Sequence, residues 1–185
     1  MVWSVRRELW ENRSVTMATL VVSAVVLFGF SISTVHLPGR VRTALTADPV
    51  QQHATLDKPY TIAAAAIMAT AFIVGVFYCL EALHGERRDR SILFWKSLPV
   101  SDLTTVLSKA SIPLVVLPLL TFAIITATQL IMLLLSSAVL LASGVDASVL
   151  WAQVKFIHSS IAQLYALAVM ALWYAPIYGW LLLVS

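Results

Sequence analysis

The sequence is short of charge, of glycine, of histidine and above all of cysteine, and each shortage closes off a class of protein. Nine acidic and twelve basic residues make 11% of the 185 positions charged, where a soluble domain carries about a quarter. So little charge excludes a fold solvated by water on all sides. The single cysteine, Cys79, excludes a disulfide framework, a Cys-x-x-Cys pair and a cysteine metal cluster within the chain, and reads as a small apolar residue. None of the six glycines begins a loop ending in Gly-Lys-Ser or Gly-Lys-Thr, so the chain has no phosphate-cradling loop of its own. His36, His53, His84 and His158 stand far apart and form no His-Glu-x-x-His pair, which disfavours an intramembrane zinc protease. With no nucleophile–base or metal constellation, the expectation is a chain that is not an enzyme and needs no cofactor.

In place of charge there is apolar length. Hydrophobic residues make up 60% of the chain, mean hydropathy is +0.90, and four windows carry no charge: Ser14 to Gly39, Pro59 to Leu80, Ala110 to Val145 and Phe156 to Ser185. A bilayer core of about 30 Å takes about 20 helical residues, and a backbone in lipid has to satisfy its hydrogen bonds internally. The runs lack the dyad alternation of a β-barrel strand. The fold class is therefore all-α, one polytopic transmembrane domain over 1–185. Spans are expected at 15–35, 61–83, 116–142 and 162–183, with an interfacial helix at 1–13 and a cytoplasmic loop at 84–111. The first apolar run is too long for a signal peptide and lacks an Ala-x-Ala exit.

Between the spans, the signals are local. Trp3 and Trp10, set among Arg6, Arg7, Glu8 and Glu11, suit a helix lying at headgroup depth, with the two tryptophans as anchors. His36 to Lys58 holds Pro38, Gly39 and Pro49 among charges and is expected to be a loop with at most one helical turn. Ala71 and Gly75 form a small-xxx-small pair that admits a neighbouring helix. Pro113 and Pro118 are expected to kink or delay the third span, and Ser143-Gly144 to end it, with Asp146 or Ser148 capping a helix that runs on through Lys155 and His158. Thr126, Thr128 and Gln129 interrupt that span, either lining a substrate path or, on the plainer reading, bonding a neighbouring helix. Glu81, at the edge of the second span, is either part of a proton or substrate path or a snorkelling acid within reach of Arg87 or Arg88.

Orientation follows from the cations. Arg6, Arg7, Arg13, Arg87, Arg88, Arg90, Lys96 and Lys109 fall on the side of the amino terminus, and Arg40, Arg42, Lys58 and Lys155 on the other. The positive-inside rule then predicts a cytoplasmic amino terminus in a cell (inner) membrane. Cations beside apolar spans are explained by topology, so the net charge of +3 calls for no nucleic-acid partner.

The loop after the second span has an unusual order. Glu86, Arg87, Arg88, Asp89 and Arg90 are followed by an apolar knot, Ile92, Leu93, Phe94, Trp95 and Leu98, broken by Ser91, Lys96 and Ser97. The knot is too short to span and has to bury against the membrane surface or another protein. Pro99 ends it, Ser101 can cap the next helix, and Leu103, Val106, Leu107 and Ala110 recur at i, i+3, i+4 and i+7, predicting one buried face. Glu86 and Arg90 stand as a stabilising i, i+4 pair.

The run Glu86 to Asp102 resembles the permeases of the type-2 ABC exporter class, in which the loop between the second and third spans holds a coupling helix. The resemblance extends to the interfacial helix before the first span and to the span order. It implies that Ser91 to Leu98, with Glu86, Arg87, Arg88, Asp89 and Arg90, contacts a separate ATP-hydrolysing subunit. It also implies a second permease copy or homologue, with lipid around both, and export of an unidentified substrate. Such permeases resemble six-span bundles, so four spans and a bare Leu-Leu-Leu-Val-Ser ending predict a truncated bundle whose fifth and sixth spans are missing or supplied otherwise. The alternative reading is a non-transporting assembly or sensory subunit whose cytoplasmic platform binds a partner.

Overall fold

Charge-free chain in lipid has to close its hydrogen bonds within each segment, and the windows do so as helices. The computed structural model describes residues 13–45, 49–81, 107, 109–144, 146, 148–154 and 156–184, and among them there is no strand. Helix α1 (Arg13–Ser33) passes through a 3₁₀ turn, Thr34–His36, into α2 (Leu37–Leu45). Helix α3 (Pro49–Glu81) follows, and a π-helical turn (Ile112–Val116) leads into α4 (Leu117–Ala142). The short α5 (Ser148–Gln153) precedes α6 (Phe156–Val184). Among the described residues four stretches are long and apolar enough to cross a membrane: Thr16–Val41, Leu56–Glu81, Lys109–Ala142 and Phe156–Val184. The chain is an all-α, multi-pass membrane protein.

Helices α1, α3 and α4 pack on one another, and α6 leans against α3 and α4 from outside. The core is a column of clusters. At one end Tyr78, Cys79, Ile112, Tyr178 and Leu182 meet; in the middle Ala64, Ile67 and Ile125; beyond them Phe30, Tyr60, Met132 and Leu133; and at the far end Leu37, Val41, Leu56, Leu140 and Leu150. Outward faces such as Val25 and Phe28 on α1, or Leu172 and Leu183 on α6, are exposed and apolar, as a surface solvated by lipid requires.

Three local expectations are corrected. The stretch 36–58 is not a loop: α2 and the first turns of α3 are helical, because Leu37, Val41 and Leu56 bury against Leu140 and Leu150. Pro49 suits the first turn of α3, where its missing N–H is an orphan anyway, and Pro59 is absorbed inside the helix. Second, α5 and α6 are separate helices. The N–H of Phe156 donates to the carbonyl of Val154 at 2.6 Å, a tight turn that breaks the ladder, while Val154 is buried among the core residues. Third, Leu107 is 47% exposed, whereas Lys109, two residues on and so about 200° round the helix, is buried.

The third span begins before its prolines, with no delay. At the π turn the N–H of Leu117 donates to the carbonyl of Ile112, five residues back, and Pro118 next to it has no N–H to offer. The widened turn thus falls where an α ladder would lack a donor in any case. At the far end Ser143 donates its N–H to the carbonyls of Val139 and Leu140, and Gly144 takes φ 72° with its N–H on Leu141. This is the glycine stop expected from the sequence. Asp146 Oδ1 then accepts the Ser148 N–H at 2.9 Å, making Asp146 the residue that starts α5.

Candidate functional site

The residues singled out as a partner surface, Glu86, Arg87, Arg88, Asp89, Arg90, Ser91, Ile92, Leu93, Phe94, Trp95, Lys96 and Leu98, lie outside the described residues, as do the anchors Trp3 and Trp10. What the fold fixes is where that segment is attached. The segment is joined to the bundle at Glu81, which is exposed, and at Lys109 and Ile112. Tyr78 and Cys79 before the exit share one cluster with Ile112 after the return and with Leu182 near the end of α6. Exit, return and the last turns of α6 therefore meet at one end of the bundle.

Directly above this end the helices approach closely. A side-chain carbon placed on Gly75 would lie 2.9 Å from the Tyr178 hydroxyl, 3.1 Å from Leu117 Cδ2 and 3.2 Å from Tyr178 Cζ. At this spacing a residue larger than glycine would force Tyr178 or Leu117 to shift. The small-xxx-small face expected from Ala71 and Gly75 is thus a protein contact. Phe72 and Tyr174 stack beside it with ring centroids 4.3 Å apart, and Tyr178 lies 6.3 Å from each of those two rings. An apolar cleft of about 340 Å³, counting its open mouth, runs between Met68, Phe72, Pro113, Thr121, Leu167 and Tyr174. The aromatic cluster of α6 divides here: Trp173 and Trp180 point outward, Tyr174 is half-buried and Tyr178 is buried.

The opposite half is held by hydrogen bonds. Gln129 Nε2 donates to the Tyr60 carbonyl at 3.3 Å, and the Tyr60 hydroxyl lies 3.3 Å from Ser136 Oγ. Ser136 Oγ donates its one proton to the Met132 carbonyl at 2.8 Å, so Tyr60 is the donor in the bond between them. Of the three polar residues flagged in the third span, Gln129 binds the neighbouring helix, and Thr126 and Thr128 donate back to Phe122 and Ile124 of their own helix. Gln129 thus follows the plainer reading, whereas Thr126 and Thr128 bond within their own helix. Neither Tyr60 nor Ser136 was legible as a partner from sequence, because a pair 76 residues apart leaves no local pattern. On α6, Gln163 donates to Ser159 Oγ at 3.2 Å, while its buried Oε1 has no hydrogen-bond partner among the described residues.

Among the described residues no group of His, Cys, Asp and Glu could hold a metal ion. Asp146, outside the spans, is held below its ordinary carboxylate range by the hydrogen bond from the Ser148 backbone. No family model, curated protein or solved structure matches the chain.

Proposed function

We propose that the chain is a permease subunit of an ATP-driven ABC transporter of the cell (inner) membrane, with its amino terminus in the cytoplasm, exporting a substrate together with a second copy or homologue. The observation that carries this reading is the order of residues Glu86 to Asp102: a cationic run, an apolar knot too short to span, a proline stop and a capped restart. Such a segment has to dock. The bundle supports it by tethering both ends of the segment to one cluster, so that a push on the knot is delivered to α3, the π turn and α6 together. The adjoining contacts of Gly75 with Tyr178 and Leu117 are close. Closely packed helix surfaces offer alternative arrangements of similar energy.

The test is affinity purification of the full chain from membranes of its own cell. Recovery of a P-loop ATPase is expected, and joint Phe94→Ala and Trp95→Ala substitution is expected to reduce that recovery and the stimulated ATP hydrolysis while insertion is unchanged. A folded wild-type chain that brings down no ATPase sinks the transporter reading and leaves a non-transporting platform.

A further inference from the structure

At the end of the bundle remote from the coupling segment, a second pocket has a different character. It measures about 320 Å³ counting its mouth, and Phe30, Leu37, Leu56, Pro59, Tyr60 and Leu150 line it with a single charged residue, Arg40. Four helices build it: α1 supplies Phe30, α2 Leu37 and Arg40, α3 Leu56, Pro59 and Tyr60, and α5 Leu150. The Tyr60 hydroxyl is committed to Ser136, so the floor is apolar aromatic edge. Arg40 is exposed, and its guanidinium makes one long contact, Nη1 to Ser33 Oγ at 3.5 Å. Among the described residues no carboxylate, Asp57 included, lies within ion-pair reach of it. A guanidinium presents five donors in a fixed fork suited to phosphate, and among the described residues only the Ser33 contact engages this one.

We propose that this pocket seats an anionic phospholipid of the surrounding bilayer, its phosphate on Arg40 and the root of its acyl chains over Phe30, Leu37 and Leu150. Charge selects an anion, and the apolar lining selects the source. A free phosphate would gain nothing from six aliphatic or aromatic walls, whereas a lipid carries both parts on one molecule. The neighbouring surface leads acyl chains to the place: Ile32, near the end of α1, is 61% exposed, and Val35, in the turn into α2, 74%. An arginine that only snorkels to the interface needs no pocket beside it.

The experiment is native mass spectrometry of the full chain released from mixed phosphatidylcholine and phosphatidylglycerol micelles. Wild type is expected to retain phosphatidylglycerol over phosphatidylcholine by roughly tenfold, equivalent to about 1.4 kcal/mol. Arg40→Gln should bring the ratio to near one with an unchanged helical circular-dichroism spectrum, Arg40→Lys should keep part of it, and Lys58→Gln, a charge lost outside the pocket lining, should leave it as in wild type. Excess inorganic phosphate should not displace the lipid. A preference that survives Arg40→Gln, or is lost equally with Lys58→Gln, overturns the site. Displacement by inorganic phosphate overturns the choice of a lipid.

Discussion

The two ends of the bundle hold the same helices by different means. Where α3 begins and α4 finishes, directional bonds do the holding: Gln129 to Tyr60, Tyr60 to Ser136, the stop at Gly144 and the cap at Asp146. Where α3 finishes and α4 begins, close packing stands beside further contacts of Tyr78, Lys109 and Ser111: Gly75 lies under Tyr178, the rings of Phe72 and Tyr174 meet at a tilt, and a π turn and an open cleft adjoin them. A hydrogen bond fixes one geometry, whereas apolar packing tolerates sliding. The difference teaches where the helices depend most on close fit: at the end next to the 82–108 segment, where Gly75 admits Tyr178 and Leu117.

The comparison breaks most readily at Gly75. Gly75→Ala places a carbon 2.9 Å from the Tyr178 hydroxyl, and overpacking of this kind costs about 1–3 kcal/mol. Thermal unfolding in detergent should show the loss, and adding Tyr178→Phe should recover part of it, since the closest clash is with the hydroxyl; no recovery would mean the strain lies with Leu117. Next in size is Gly144→Ala, which meets no neighbour but forces a side chain to φ 72°, at a cost of about 1–2 kcal/mol. The same unfolding curve measures it, and a neutral result would mean that the α4 stop is not held at that conformation.

Smaller again is the effect at the bonded end. Tyr60→Phe and Ser136→Ala should each cost about 0.6 kcal/mol, the usual size of an interhelical hydrogen bond in lipid, and the double variant should cost less than the sum of the two. A double-mutant cycle reads this; strict additivity would remove the bond from the account. Smallest is Asp146. Its folded-state pKa is depressed, so its contribution is present above the unfolded value of about 3.9 and is lost as pH falls through the folded value below it. A shallow drop in melting temperature over that acid window, abolished by Asp146→Ala, is expected.

The spans were legible because the absence of charge is a signal that needs no partner to interpret. The α4 stop at Ser143-Gly144 and the face of Ala71 and Gly75 were legible for a related reason, since backbone conformation and close approach restrict the residue itself. The helices within 36–58 were not. Prolines and charges there look locally like a loop, and only burial of Leu37, Val41 and Leu56 against Leu140 and Leu150 outweighs them. The partner of Gln129 could be named as a class from sequence but not as Tyr60, and the isolation of Arg40 became visible only once the helices around it were placed. The knot at 92–98, read most firmly from sequence, lies outside the described residues.

The direction of the bonds between Tyr60, Ser136 and Met132 has an electrical consequence. A file of hydroxyls conducts protons only if each member can pass one on and be refilled behind. Here the file runs one way and ends on a backbone carbonyl, which has no proton to release. The seam can therefore fasten two helices through the low-dielectric interior without becoming a leak, leaving any ion gradient across the bilayer undrained by this path.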